Sequence, residues 1–349
     1  MSPSSIIAAL KKCNEPTLSS KGDEKMEPSI STTDIQPGDI LLLHYVPEDN
    51  KVAEMLKLLK LAHQAVEDWK HWTNYDKETR ETHFAALMPL IHFAITAFDN
   101  SRYFHAAIVG QDADNENVVI EAGPKGIMQT ALKDYWDGPI SVYRFHKDAV
   151  SLGDKLLPAG PVLKKASDLY KAGDIEYGYY HAGLLAIWCL FKAGEDTVLD
   201  HLRAALVLAF GAQATDMLFK LVGPETIKLF LVDIFHRALD RWRQKKHLVC
   251  SEMVAVCFNQ ADSLGTYKIS RELCKSARIN TAAEQQPNQP ALSEDVESAI
   301  RTLADAFDGL EVDRPLRAVD VALALVSSDV LYTPSDLERS VSTFDIGQM

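Results

Sequence analysis

Between Ser101 and Gly123 the chain reads as two strands joined by a polar turn, and this hairpin constrains the fold more than any other segment. Ser101-Arg102-Tyr103-Phe104-His105-Ala106-Ala107-Ile108-Val109-Gly110 is a short apolar strand with a histidine near its start. Gln111 to Asn117 is polar, and Val118-Val119-Ile120-Glu121-Ala122-Gly123 returns. Paired residue numbers in an antiparallel hairpin have a constant sum, roughly 226 to 228 for a turn centred near Ala113 or Asp114. Glu121 then lies opposite His105 or opposite Ala107, its neighbour on the same face. Direct and diagonal partners are both within reach of a long side chain. A carboxylate placed there can orient an imidazole for proton transfer. The same pattern also describes a hydrogen-bonded histidine beside a solvated glutamate.

A second segment supplies a nucleophile for that histidine. In His247-Leu248-Val249-Cys250-Ser251-Glu252-Met253-Val254-Ala255-Val256-Cys257-Phe258, the residues before Cys250 read as extended chain. Met253, Val254 and Cys257 follow at three, four and seven places, which is a helical stripe. A cysteine on the first turn of a helix faces unpaired N–H groups and the positive end of the helix dipole. Both favour the thiolate, the form that attacks carbonyls. A buried packing cysteine would show the same spacing.

Composition narrows the classes. Of 349 residues, 47% are hydrophobic and 24% charged, as in a globular chain. The formal net charge of −13 argues against a general nucleic-acid surface. The five cysteines, Cys13, Cys189, Cys250, Cys257 and Cys274, show no CxxC spacing, so neither a disulfide scaffold nor a structural zinc site is expected. His247 and Cys250 could share a metal, but no second ligand pair accompanies them. Asp112, Asp114 and Glu116 alternate like the start of a calcium loop, yet Asn117 and Gly123 stand where that loop needs glycine and glutamate. Gly123-Pro124-Lys125-Gly126 is too short and wrongly placed for a nucleotide loop. No apolar stretch is long enough to span a bilayer, and no signal peptide is evident, so a cytoplasmic location is expected, with export by a specialised machine left open.

Residues 1–33 read as a disordered tail, and residues 34–349 as one domain. Asp34 to Val46 reads as a first core strand, Ile140 to Phe145 as another, and Val162 to Leu169 and Tyr179 to Ala193 as helices. Helical patterns fill Glu48–Phe98 and Leu202–Leu239. The second splits at Gly223-Pro224 into two apolar helices, and Arg237, Arg241, Arg243, Lys245 and Lys246 then lead into Cys250. Such a hairpin either packs on the core or makes peripheral contact with a membrane, its basic edge on anionic lipid. Residues 282–293 read as a polar linker, Glu294–Phe307 as a helix, and Leu316–Val330 as an apolar return.

Four motifs in this order resemble the circularly permuted branch of the NlpC-type papain-like superfamily, the YiiX- and YaeF-like group and, more distantly, the lecithin–retinol acyltransferase family. Gln36-Pro37-Gly38-Asp39-Ile40 resembles its "pGDi" opening, Phe104-His105-Ala106-Ala107 its histidine strand, Val119-Ile120-Glu121-Ala122 its "viEA" strand, and Val249-Cys250-Ser251-Glu252-Met253-Val254 its "yCSElv" helix. Thr333-Pro334-Ser335-Asp336-Leu337-Glu338-Arg339-Ser340 resembles a closing "tP.dL..S" segment, and Tyr177, Tyr179 and Tyr180 a tyrosine-bearing one. The resemblance implies an α+β, permuted papain-like fold with helical insertions at about 48–98 and 194–246. It implies Cys250 as nucleophile, His105 as base and Glu121 as the orienting group; His44 and Tyr45 are the alternatives for that last role. No cofactor or metal is called for. The expected activity is cleavage of an amide or ester through a thioester on Cys250. The apolar hairpin favours a lipid acyl substrate over a peptide or cell-wall amide, and an inactive binding module is the other class. Oligomeric state is not written in the chain.

Overall fold

The computed structural model describes residues 30–47, 49–123, 125–135, 137–145, 159–191, 198–242, 247–269, 292–308, 310, 332–340 and 342–349. The N-terminal tail to residue 29, residues 282–291 of the 282–293 linker, the 316–330 return, Cys13, Cys274, and the side chains of Tyr179, Tyr180 and the basic run before Cys250 lie outside the described residues.

The fold is mixed α and β with a small antiparallel sheet. Its strands are β1 (Ile40–His44), β2 (Tyr103–Gln111), β3 (Asn117–Gly123), β4 (Gly126–Ala131) and β5 (Ile140–Phe145). The last strand of the sheet, Thr343–Gln348, closes it at one edge, giving the spatial order β4-β3-β2-β1-β5 and then that strand. The helices are α1 (Lys51–Lys70), α2 (Lys77–Ala86), α3 (Met88–Phe98), α4 (Gly160–Ala172), α5 (Tyr179–Phe191), α6 (Val198–Phe210), α7 (Ala212–Val222), α8 (Pro224–Trp242), α9 (Cys250–Asn259), α10 (Glu294–Phe307) and α11 (Pro334–Glu338). A two-stranded parallel ribbon, β6 (Glu176–Tyr177) with β7 (His247–Leu248), sets the approach to α5 beside the approach to α9. The sheet's closing strand is β8.

Alternation along the strands sorts the sheet into two faces. Ile40, Leu42, Ala106, Ile108, Ile120 and Ala122 pack against Met253, Val254, Cys257 and Phe258 of α9 and Val162 and Ala166 of α4. Leu41, Leu43, Phe104, Ala107, Val109, Val119 and Val142 form the other face. Helices α1–α3, α5–α8 and α10 build a separate apolar core. No helix among the described residues is long and apolar enough to cross a membrane.

Two expectations about elements need correction. The first strand begins at Ile40, not Asp34. Gly38 takes φ +94°, a left-handed conformation that suits glycine, and its N–H meets the Val109 carbonyl at 2.7 Å. The Asp39 carboxylate then accepts from the Gln36 N–H at 2.8 Å and from both arms of Arg144 at 2.7 and 2.8 Å. That knot holds residues 34–39 as turn. The stretch before Gly223 is two helices rather than one, because Gly211, at φ +79°, breaks it between α6 and α7. The apolar hairpin is part of the core. Leu202, Phe210, Leu218, Ile227, Phe230 and Phe235 are buried there, while Leu208 and Leu221 remain exposed.

Candidate active site

Cys250 is the first residue of α9, and β7 delivers it in extended chain through Val249, whose φ and ψ are −93° and 168°. Valine has no side-chain oxygen to cap the helix. Glu252 does the other half of the capping: its Oε2 accepts the Val249 N–H at 3.1 Å and meets His181 Nδ1 at 3.2 Å. Ser251 Oγ donates to the Tyr332 carbonyl at 2.5 Å. The Ser and Glu of the Cys-Ser-Glu motif thus fix the start of the helix, tying it to α5 and to the segment before α11. Thr333 and Asp336 cap α11 reciprocally, at 3.1 and 2.8 Å. Ser335 hydrogen-bonds the buried Asp99 at the end of α3.

The sheet opens to receive the thiol. The β2–β3 pairing runs from Gln111 opposite Asn117 to Ile108 opposite Ile120, a constant sum of 228. Beyond Ile120, β3 stays paired with β4 as far as Gly123 opposite Gly126. Val109 donates its N–H toward β1, to the Asp39 carbonyl at 2.8 Å. Alternation therefore turns the Ala106 N–H toward the β3 side. There it donates to the Cys250 sulfur, as does the Ser251 N–H. Cys250 is seated in a fork of the sheet.

His105 and Glu121 lie on the second face of the sheet, on neighbouring strands. His105 Nε2 and Glu121 Oε2 are 2.5 Å apart, and Tyr135 Oη donates to the same oxygen at 2.6 Å. With Nε2 occupied, Nδ1 is the ring atom left for the hydrogen bond between His105 and Cys250. Tyr135, Glu121, His105 and Cys250 form one chain of hydrogen bonds. His44 and Tyr45, the alternatives for orienting His105, are engaged elsewhere. His44 Nε2 lies 2.8 Å from Ser141 Oγ, and Tyr45 bonds Glu54. Tyr177 is buried in the core against α9. The tyrosine that reaches Glu121 is Tyr135, which sequence reasoning missed.

Burial alone pushes the Cys250 thiol up. The positive charge of His105, its hydrogen bond, and the N–H groups of Ala106 and Ser251 outweigh burial and hold the thiol below its ordinary value. Burial pulls His105 down, but the Cys250 sulfur and the Glu121 carboxylate together raise it well above the ordinary imidazole value. Glu121 is pushed up by burial and down, by more, through His105 and Tyr135. Burial and the neighbouring carboxylate raise Tyr135, so it keeps its proton and donates it. His92 on α3 packs against Phe104 at 4.5 Å between ring centres; burial, then the nearby charge of His105, pushes it down to about 3. The surroundings thus favour a positive imidazole at His105 and lower the Cys250 thiol, while His92 beside them is held neutral. Among the described residues no group of three His, Cys, Asp or Glu side chains is placed to hold a metal ion.

Cysteine labelling separates this thiol from its neighbours. Cys250 is 4% exposed, whereas Cys189 and Cys257 are at 0%, and burial pushes Cys257 up to about 12. Iodoacetamide at neutral pH alkylates Cys250 first and leaves Cys257 untouched until unfolding, and His105→Ala slows the reaction at Cys250. Peptide mapping with equal labelling of Cys250 and Cys257 contradicts the thiolate. Tyr135→Phe tests the end of the chain. Losing a hydrogen bond to a charged group lowers kcat roughly tenfold. It also moves the acid limb of the pH–rate profile upward, because Glu121, protonated more readily, supports the imidazolium less and the Cys250 thiol rises. A uniformly lowered profile with no shift assigns Tyr135 to packing alone.

No family model, curated protein or solved structure matches the chain.

Proposed function

We propose that the chain is a permuted papain-like thiol acyl hydrolase or acyltransferase, with Cys250 as nucleophile, His105 as base and acid, and Glu121 and Tyr135 as positioning residues. The observation that carries this reading is the chain Tyr135–Glu121–His105–Cys250, with 2.6 and 2.5 Å links behind the imidazole. A nucleophile joined to a base that a third group orients is the arrangement that acyl transfer requires.

The thiolate attacks an ester or amide carbonyl, and the carbonyl π electrons move to oxygen. The N–H of Cys250, first on its helix, is the natural donor to that oxyanion. As the tetrahedral adduct collapses, the bond to the alkoxide or amine breaks. His105 gives that leaving group the proton it carries, and a thioester remains on Cys250. Neutral His105 then takes a proton from water or from a second nucleophile, which attacks the thioester. The acid is released, or the acyl group is transferred, and the imidazolium–thiolate pair is restored. Glu121 stabilises the positive imidazole and fixes its ring throughout; Tyr135 holds Glu121.

A lipid acyl ester or amide is the preferred substrate class, and a peptide or cell-wall amide the alternative. Only 4% of Cys250 is exposed, so a slim carbonyl reaches it more readily than a branched glycopeptide. The same burial favours, as the second reading, a binding module that retains the three residues. Intact mass decides among them. Incubation with acyl esters, N-acyl amides and muropeptides is expected to leave one acyl increment on Cys250 from a lipid substrate. An increment or released peptide from muropeptides alone moves the assignment to cell-wall amidase. No increment and no turnover from any of them sinks the hydrolase.

A further inference from the structure

The helical layer forms a half-open apolar pocket of about 200 Å³, remote in kind from the polar chain at Cys250. Helices α1, α2, α3, α5, α6, α7, α8 and α10 all contribute to its wall. Among the described residues Asp68 is the one charged residue on that wall, and its carboxylate is met by His83 at 2.7 Å. Trp69, also on the wall, gives its indole N–H to Asp233 at 2.7 Å. The rest of the wall is almost wholly apolar, so water that enters from the open side finds few partners.

Large side chains face the space without filling it. Leu90, Phe93, Leu206, Leu231, Ile234 and Phe307 line the cavity and are only half-buried, although they belong to elements of the helical core. Lining atoms that face open space lack contacts on one side, which an apolar occupant would supply. A half-open pocket with an apolar wall therefore favours an apolar occupant. Its volume chooses the kind: about 200 Å³ lies somewhat above the roughly 150 Å³ that takes benzene, and below the roughly 300–1,000 Å³ of pockets for drug-sized molecules. A sterol or a pair of chains is too large, whereas one narrow hydrocarbon chain fits.

We propose that this cavity binds a single unbranched alkyl chain, such as that of a fatty acid. Helix α3 lies between the two sites. Leu90, Ile91, Phe93 and Ala94 face the cavity, while His92 packs on Phe104 beside His105. A bound chain thus lies one helix away from the thiol, and holding it requires no chemistry at Cys250.

The full chain is titrated, below micelle-forming concentrations, with a polyene fatty acid whose fluorescence rises out of water. Saturated fatty acids of 8 to 16 carbons then compete, and native mass spectrometry counts the bound chains. The expected result is one chain per protein, with affinity climbing about fourfold per methylene and levelling once the cavity is full. Ala94→Phe and, as a milder filling, Ala65→Leu weaken binding at least tenfold while circular dichroism shows the native helix content; Cys250→Ala binds as the parent does. Absence of saturable binding overturns the proposal. So does affinity that rises with chain length without levelling, or binding that folded Ala94→Phe and Ala65→Leu leave unchanged. Since binding is read on Cys250→Ala as well, a failed hydrolase reading and a failed chain site give different results.

Discussion

Cys250→Ala abolishes turnover and leaves the protein folded. The substitution removes one sulfur from the start of α9, while the forces that hold this turn remain. Glu252 still takes the Val249 N–H, and Ser251 still bonds the Tyr332 carbonyl. His105 keeps Glu121 at Nε2. Deleting the nucleophile of an assembled triad costs about a million-fold in kcat. The thermal midpoint should move by only a few degrees, since the gap left is a single atom. The measurement is a melt beside a turnover assay on whichever acyl substrate loads the parent. Residual turnover within a hundredfold of the parent places the nucleophile elsewhere. Loss of the melting transition makes Cys250 a packing residue first.

Glu121→Gln gives the second large effect, and its signature is a pH profile. The amide keeps the shape of the carboxylate but not its charge. Glu121 helps to raise His105 above its ordinary value, so removing the charge lowers the imidazole. The imidazolium is then lost at lower pH, and the alkaline limb of the profile moves down. With less imidazolium beside it, the Cys250 thiol rises, and the acid limb moves up. The active window narrows from both sides, and the peak rate falls roughly ten- to ten-thousand-fold, the span covered by acid–base and orienting residues. Tyr135 still donates to the amide oxygen, so the fold survives. A profile of unchanged width would falsify the orienting role.

The hairpin that brings His105 to Glu121 was legible because its register depends on local arithmetic. A polar turn and two apolar runs confine the paired sum to a narrow range, and the observed 228 sets Glu121 diagonally from His105 on the same face. The helix start at Cys250 was legible for a similar reason, since its stripe is contained in eight residues. Tyr135 was not legible. It reaches Glu121 only because β4 folds back along β3, and β4 places Ile127 and Met128 side by side and then Gln129 and Thr130, which is no strand alternation. Reading Gly123 and Gly126 as the ends of a tight turn would have brought Tyr135 back toward the site. The break at Gly211 was hidden because apolar periodicity continues on both sides of it; only its positive φ shows that the helix must stop. The cavity was hidden for a deeper reason. Periodicity says which side chains turn inward and nothing about whether they meet.

The bond from Ser251 to Tyr332 has a consequence for the order of synthesis. His105, Glu121 and Tyr135 leave the ribosome well before Cys250, so their hydrogen-bonded chain can assemble while the thiol is still unmade. The turn that carries the thiol is then anchored to a carbonyl 81 residues downstream. Beyond that carbonyl, Ser335 reaches back to Asp99 at the end of α3. Strand β8, later still, completes the edge of the sheet against β5. A nascent chain halted between Cys250 and Tyr332 carries the thiol without its anchor. The turn that carries Cys250 is thereby expected to settle only after the segment around Tyr332 has emerged.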